Sequence, residues 1–70
     1  MEITFTQHAE EQLAFRKFLK HEIIEAIKAP DIIIKKHRKH FYQKKLDRGT
    51  AEIVIEKTEK HLKVVTVYWI

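Results

Sequence analysis

Apolar and polar side chains change their spacing once along this chain, near Pro30. Before it, Ile3 and Phe5 alternate with Glu2 and Thr4, the period-two pattern of a short strand with one buried face, within the opening segment Met1 to Thr6. Thr6 is placed to cap a helix, because its hydroxyl can accept an amide of the first turn, and Glu10 and Glu11 follow near the positive end of the helix dipole. The spacing predicts a first helix over 7–18, with Ala9, Leu13 and the stem of Arg16 on one face and Ala14 and Phe18 on the adjoining stripe. A second helix begins at Lys20 or His21, carries Ile23, Ile24 and Ile27 at helical spacing, and ends by Ala29 because Pro30 cannot continue it. Phe18 to Lys20 contains neither glycine nor proline, so a single bent helix over 7–29 is the alternative.

After Pro30 the period becomes two. Segments 32–36, 40–46, 51–57 and 62–70 are rich in isoleucine, valine and aromatics, which pack well on a pleated surface. The links between them, His37 to Lys39, Asp47 to Thr50 and Thr58 to His61, are too short for parallel returns and predict antiparallel hairpins. Gly49, the only glycine, is expected at positive φ. Strict alternation in the last segment puts Leu62, Val64, Thr66 and Tyr68 on one face and Lys63, Val65, Val67 and Trp69 on the other. That strand is apolar on both sides from Val64 on, which predicts a central position. The expected fold class is α+β: an N-terminal strand, two helices, then a curved antiparallel sheet of four further strands, all in a single domain over 1–70.

Length and composition narrow the options. Seventy residues support one small core, and with no cysteine there is neither a disulfide nor a thiolate metal site. A cytoplasmic location is the expectation, with no export signal in the first residues. Apolar runs such as Ile32 to Ile34 fall far short of the ~20 residues needed to cross a bilayer, so no membrane partner is expected. The net charge is +4, but its distribution is uneven. Residues 1–30 balance at −1 and residues 49–70 at zero, whereas 31–48 hold Lys35, Lys36, Arg38, Lys39, Lys44, Lys45 and Arg48 against Asp31 and Asp47, a balance of +5. Such a cluster favours a polyanion, of which RNA is the expected one. A solvated hairpin that guards a sheet edge is the bland reading of the same charges.

The residues at the joints carry a resemblance. The strand ending in Phe5-Thr6-Gln7-His8-Ala9, the helix pair ending in Ile27-Lys28-Ala29-Pro30-Asp31, the tyrosine-bearing strand from Phe41 to Lys45 and the closing Val64-Val65-Thr66-Val67-Tyr68-Trp69-Ile70 resemble a DUF4258 domain. That family is similar to the BrnT-like toxins of the RelE-like ribonuclease group. The resemblance implies helices packed on an antiparallel sheet, mRNA cleavage without a metal, and neutralisation by an antitoxin protein. The chain departs from the family at Gln12, where an arginine is frequent, and at Lys20, where a turn-forming serine is frequent.

RNA cleavage without a metal needs a base for the 2′-hydroxyl, an acid for the leaving oxygen, and cations for the phosphoryl oxygens. Histidine suits the proton transfers. Period-two geometry puts His40, Tyr42 and Lys44 along one side of their strand, within ~14 Å, which makes them the first catalytic candidates. His8 joins them on the resemblance, against the alternative of a structural histidine. The expected nucleic-acid-binding residues are Arg16, Lys35, Lys36, His37, Arg38, Lys39, Lys45 and Arg48, with Trp69 as a stacking platform or, alternatively, an interface anchor. His37 and His40 form no plausible zinc site without further ligands, and no cofactor is expected. Three functions therefore compete: a metal-independent ribonuclease toxin, a noncatalytic RNA binder, and a protein-interaction module such as a homodimer formed through a strand edge or Trp69.

Overall fold

In a computed structural model that describes residues 2–70, the chain forms β1 (Glu2–Phe5), α1 (Gln7–Phe15), α2 (Lys20–Lys28), β2 (Ile32–Lys36), β3 (Lys39–Leu46), β4 (Gly49–Lys57) and β5 (His61–Trp69). Met1, which opens the first expected strand, lies outside the described residues. The order of elements is the α+β one expected. The five strands make one open mixed sheet in the order β1-β5-β4-β3-β2, with every neighbour antiparallel except β1 and β5. The last strand is internal, as its apolar faces require, but β4 holds the middle position.

Thr6 caps α1 by accepting the Ala9 amide at 3.0 Å. The helix ends three residues earlier than its apolar pattern suggests. Lys17 adopts φ 62, the Phe18 amide donates to the Leu13 carbonyl at 2.8 Å, and the Lys17 amide donates to Ala14 at 3.3 Å. These two bonds are a Schellman closure, with the apolar contact between its ends supplied by Leu13 and Phe18, both buried. The single bent helix is thereby excluded. Ala14, expected on the buried stripe, is exposed, because Phe18 reaches the core from beyond the helix end. At the start of α2 the Glu22 carboxylate accepts the Leu19 amide at 2.8 Å and a guanidinium bond from Arg48, in the β3–β4 turn. Burial alone would raise the Glu22 carboxyl pKa, but the bonds from Arg48 and Leu19 outweigh it and hold the group below its ordinary value.

The helices cover one face of the sheet. Ala9, Leu13, Phe18, Ile23, Ala26 and Ile27 from the helical layer meet Tyr42, Ala51, Ile53, Ile55, Leu62, Val64 and Val67 in a single cluster. The expected alternation in β5 fails at one point. Val54 pairs with Thr66 and Ile55 with Val64, so Val65 is an extra residue, a β-bulge. Leu62 and Val64 face the helices before it, and Val67 and Trp69 face them after it. Tyr68 consequently turns to the open face, where its hydroxyl donates to Glu52.

Trp69 stacks on Phe18 with ring centroids 4.2 Å apart, donates from Nε1 to the Arg16 carbonyl at 3.3 Å, and lies under the Arg48 guanidinium at 5.3 Å. Gly49 has φ 143, and a Cβ there would sit 3.3 Å from the Trp69 ring. Gly49→Ala is therefore expected to destabilise the fold by about 1–3 kcal/mol, through strain and ring displacement. Lys17→Gly, which relieves a left-handed non-glycine residue, should stabilise it by about 0.5–1 kcal/mol. Urea unfolding of the two variants beside the parent chain checks both signs.

Candidate nucleic-acid interface

The hairpin joining β2 and β3 turns in two residues. His37 and Arg38 both lie in the left-handed region, at φ 54 and φ 63. Two such residues define the type I′ turn that matches strand twist, but this turn ordinarily takes Asn-Gly. The connection is thus one residue shorter than expected, and Lys39 belongs to β3. The tight turn thrusts Lys35, Lys36, His37 and Arg38 out together, all exposed. Lys57, at the end of β4, lies on the same end of the sheet, since His40 pairs with Ile55 and Lys39 bonds to Glu56.

Among the described residues, Lys35, Lys36, Arg38 and Lys57 have no carboxylate partner. Glu56, which neighbours Lys57, is shared between Lys39 at 3.0 Å and Lys63 at 3.2 Å. Hydrogen bonds from those two lysines hold its carboxyl below its ordinary pKa. The end of the sheet thus carries a concentration of exposed positive charge on and beside a tight hairpin.

The other expected contacts have different placements. Lys44 donates to the Ala29 carbonyl at 2.9 Å and lies 3.5 Å from Asp31, whose other oxygen accepts the Lys45 amide at 2.8 Å. Arg48 is held by Glu22 and by the Lys17 carbonyl, and Arg16 by Gln12 at 2.7 Å. Lys45 is exposed at the far end of β3, and Trp69 has one ring face against Phe18. These residues do not gather with the hairpin tip.

His40, Tyr42 and Lys44 do share the helix-facing side of β3, through their pairing with Ile55, Ile53 and Ala51. Tyr42 is buried in the core, however, and Lys44 is tethered as described. His8 sits apart, at the start of α1, with Nε2 3.2 Å from the Thr66 hydroxyl. His40 alone of the four adjoins the basic end, opposite Lys35. Burial, and then the charges of Lys35 and Lys57, lower its pKa, and its Nδ1 is buried without a hydrogen-bond partner. Chemistry at this ring would have to use Nε2. The described residues contain no cluster of three or more groups able to hold a metal ion.

Two features were not anticipated from sequence. Lys57 joins the tip from a different hairpin, a position that follows only from the β3–β4 register. On the open face, Gln43, Glu52 and Tyr68 form one row across three strands, with Gln43 donating to Glu52 at 2.8 Å. Burial and the Glu52 carboxylate push the Tyr68 hydroxyl up to about 12.

A small α+β domain with an open mixed sheet and one strongly basic end defines the class of protein. Residues 5–69 match the model of the domain of unknown function DUF4258, and the chain belongs to that family. Comparisons with curated proteins and with solved structures find no match. Among the described residues, no helix is long and apolar enough to cross a membrane.

Two outcomes are expected. Because His40 resists protonation when folded, its contribution to stability is complete above its ordinary pKa of 6.5 and is lost as pH falls through that value toward its lower folded one. His40→Gln should flatten the decline in unfolding free energy between about pH 7 and pH 5, measured by urea titration. Replacing His37 with Asn and Arg38 with Gly should stabilise the hairpin by about 1 kcal/mol or more by relieving two left-handed side-chain-bearing residues. A rise in melting temperature checks this.

Proposed function

We propose that this domain binds RNA noncatalytically through the basic end of its sheet. The carrying observation is that Lys35, Lys36, Arg38 and Lys57 all lie at that end with no carboxylate partner among the described residues, while Lys44 and Arg48 are engaged in holding the fold. Three of the four are lysines, which attract phosphate as point charges without reading a base. The cations lie on strands and a turn, not on a helix that could enter a major groove, which favours single-stranded or irregular RNA over sequence-specific duplex DNA.

Binding of a mixed-sequence single-stranded RNA should weaken steeply with salt, with log K falling by about 3 per decade for four phosphate contacts. Changing Lys35 and Arg38 together to alanine should roughly halve that slope. Lys44→Ala should lower stability and leave the slope unchanged. Affinity that does not respond to salt, or a slope that survives loss of the two tip residues, would overturn the reading.

A second reading, a RelE-like or BrnT-like ribonuclease toxin with an antitoxin covering the same end, is favoured by one observation. His40 is held neutral beside Lys35 and Lys57, the state a general base requires. Cleavage of RNA in EDTA that disappears in His40→Ala, while that variant still binds RNA, would select this reading over simple binding.

A further inference from the structure

Turned away from the helices, the sheet presents rows of side chains that cross its strands in register. Nearest the basic tip, Lys36 lies beside Lys39, Lys39 bonds Glu56, and Glu56 bonds Lys63. The next row is apolar over Ile34, Phe41 and Val54 and ends on Thr66. Behind it stand Ile32, Gln43, Glu52 and Tyr68, tied together by hydrogen bonds from Gln43 to Tyr68. A pocket of about 180 Å³ opens among these rows, lined by Lys36 from the first, Ile34 and Phe41 from the second and Glu52 from the third.

We propose that this pocket holds a guanine base of a single-stranded RNA whose phosphates lie on the basic end. The proposal rests on the RNA reading and adds to it a base that the domain recognises. Phe41 supplies an aromatic ring and Ile34 an aliphatic wall for stacking, which every base can use. Glu52 supplies the choice between bases. Ionised, it only accepts hydrogen bonds, with more than one acceptor site on each oxygen. Tyr68 donates to Oε1, and Gln43 Nε2 donates to Oε2 at 2.8 Å, which fixes the carboxylate and leaves a lone pair on each oxygen. The Tyr68 hydroxyl, pushed up to about 12, keeps its proton and stays a donor. Two adjacent acceptors match two adjacent donors, and among the RNA bases guanine alone carries these on its pairing edge, N1–H beside the 2-amino group.

Charge narrows the occupant further. An arginine of a protein partner would also satisfy Glu52 and stack on Phe41, but it would enter beside Lys36, which has no carboxylate partner among the described residues. A neutral donor tied to an anion meets no such repulsion: the base goes to Glu52 and its phosphate to Lys36, one contact specifying and the other positioning. The size agrees. Sites for whole small molecules occupy roughly 300–1,000 Å³. This pocket is smaller, with room for one ring system while the sugar and phosphate stay outside.

Binding of short oligouridylates with one central guanosine, inosine, adenosine or cytidine, followed by fluorescence anisotropy at low salt, tests it. The guanosine oligomer should bind about tenfold tighter than the all-uridine one. Adenosine and cytidine should gain little, and inosine, which keeps N1–H and lacks the 2-amino group, should fall between. Glu52→Gln puts an amide donor where guanine needs an acceptor, and should remove the guanosine preference without lowering the all-uridine affinity. Lys36→Ala should do the reverse, reducing the salt slope and keeping the preference. Circular dichroism melts confirm that each variant is folded, and the base series on the parent chain decides the matter if one is not. Oligomers that bind with the expected salt dependence but show no preference for guanosine, or a preference that survives in folded Glu52→Gln, would overturn the guanine pocket and leave the RNA reading standing. No binding of any oligomer at low salt would overturn both.

Discussion

One extra residue in the last strand, Val65, sets which side chains the sheet presents to the helices. Its amide plane is displaced from the β4 ladder, and its carbonyl is taken by the Thr6 hydroxyl at 3.1 Å, while the Thr6 amide bonds Val64 at 3.0 Å. The same threonine that starts α1 thus secures the bulge. Beyond it the phase of the strand is reversed, and Trp69 swings under the helical layer. There it touches the closure of α1 through Phe18 and the Arg16 carbonyl, and the start of β4 through Gly49. Without the bulge, Tyr68 would take that place, and the short break between the helices would lose its largest contact.

Around Trp69, charge serves packing. Arg48 lies over the ring, bonds the carboxylate that caps α2, and bonds the Lys17 carbonyl at the end of α1. Lys44 does similar work at the far end of α2 by capping the Ala29 carbonyl. Cations at these positions satisfy backbone acceptors and a partly buried acid, which is why two residues of the basic segment belong to the scaffold. The remaining cations are pushed out by a two-residue turn whose backbone favours asparagine and glycine. Backbone strain is carried there by two residues whose side chains are exposed, so it is not repaid by burial in the core.

The two edges of the sheet are treated differently. β1 is short and meets β5 in parallel over Glu2 to Phe5, leaving the rest of β5 beside the start of α1. β2 is bare along its length and apolar in its centre. A seventy-residue domain has little core to spare, with side chains such as Ile32 and Ile34 left outside it.

Periodicity, capping chemistry and turn length are local properties, and they determined a good deal about this protein. The strand, helix, helix, four-strand order, the Thr6 cap, the stop at Pro30 and the antiparallel hairpins all follow from neighbours in the chain. So does the concentration of charge near the β2–β3 hairpin, because that hairpin is nearly continuous in sequence. Other features depend on residues far apart and were not legible. An α1 that ends on Lys17 needs Phe18 to find the core, since lysine itself gives no stop signal. A bulge at Val65 is invisible in a run of apolar residues that could face either way. The alignment of His40, Tyr42 and Lys44 was correct as strand geometry, yet only the docking of α2 and its following turn shows that Tyr42 is buried and Lys44 tethered. Lys57 reaches the basic end only once β4 is in register with β3. The sequence by itself determined the elements and the sign of their charge; tertiary packing decided which charges are left free, because a cation's partner is chosen by proximity in space, and spacing along the chain does not record it.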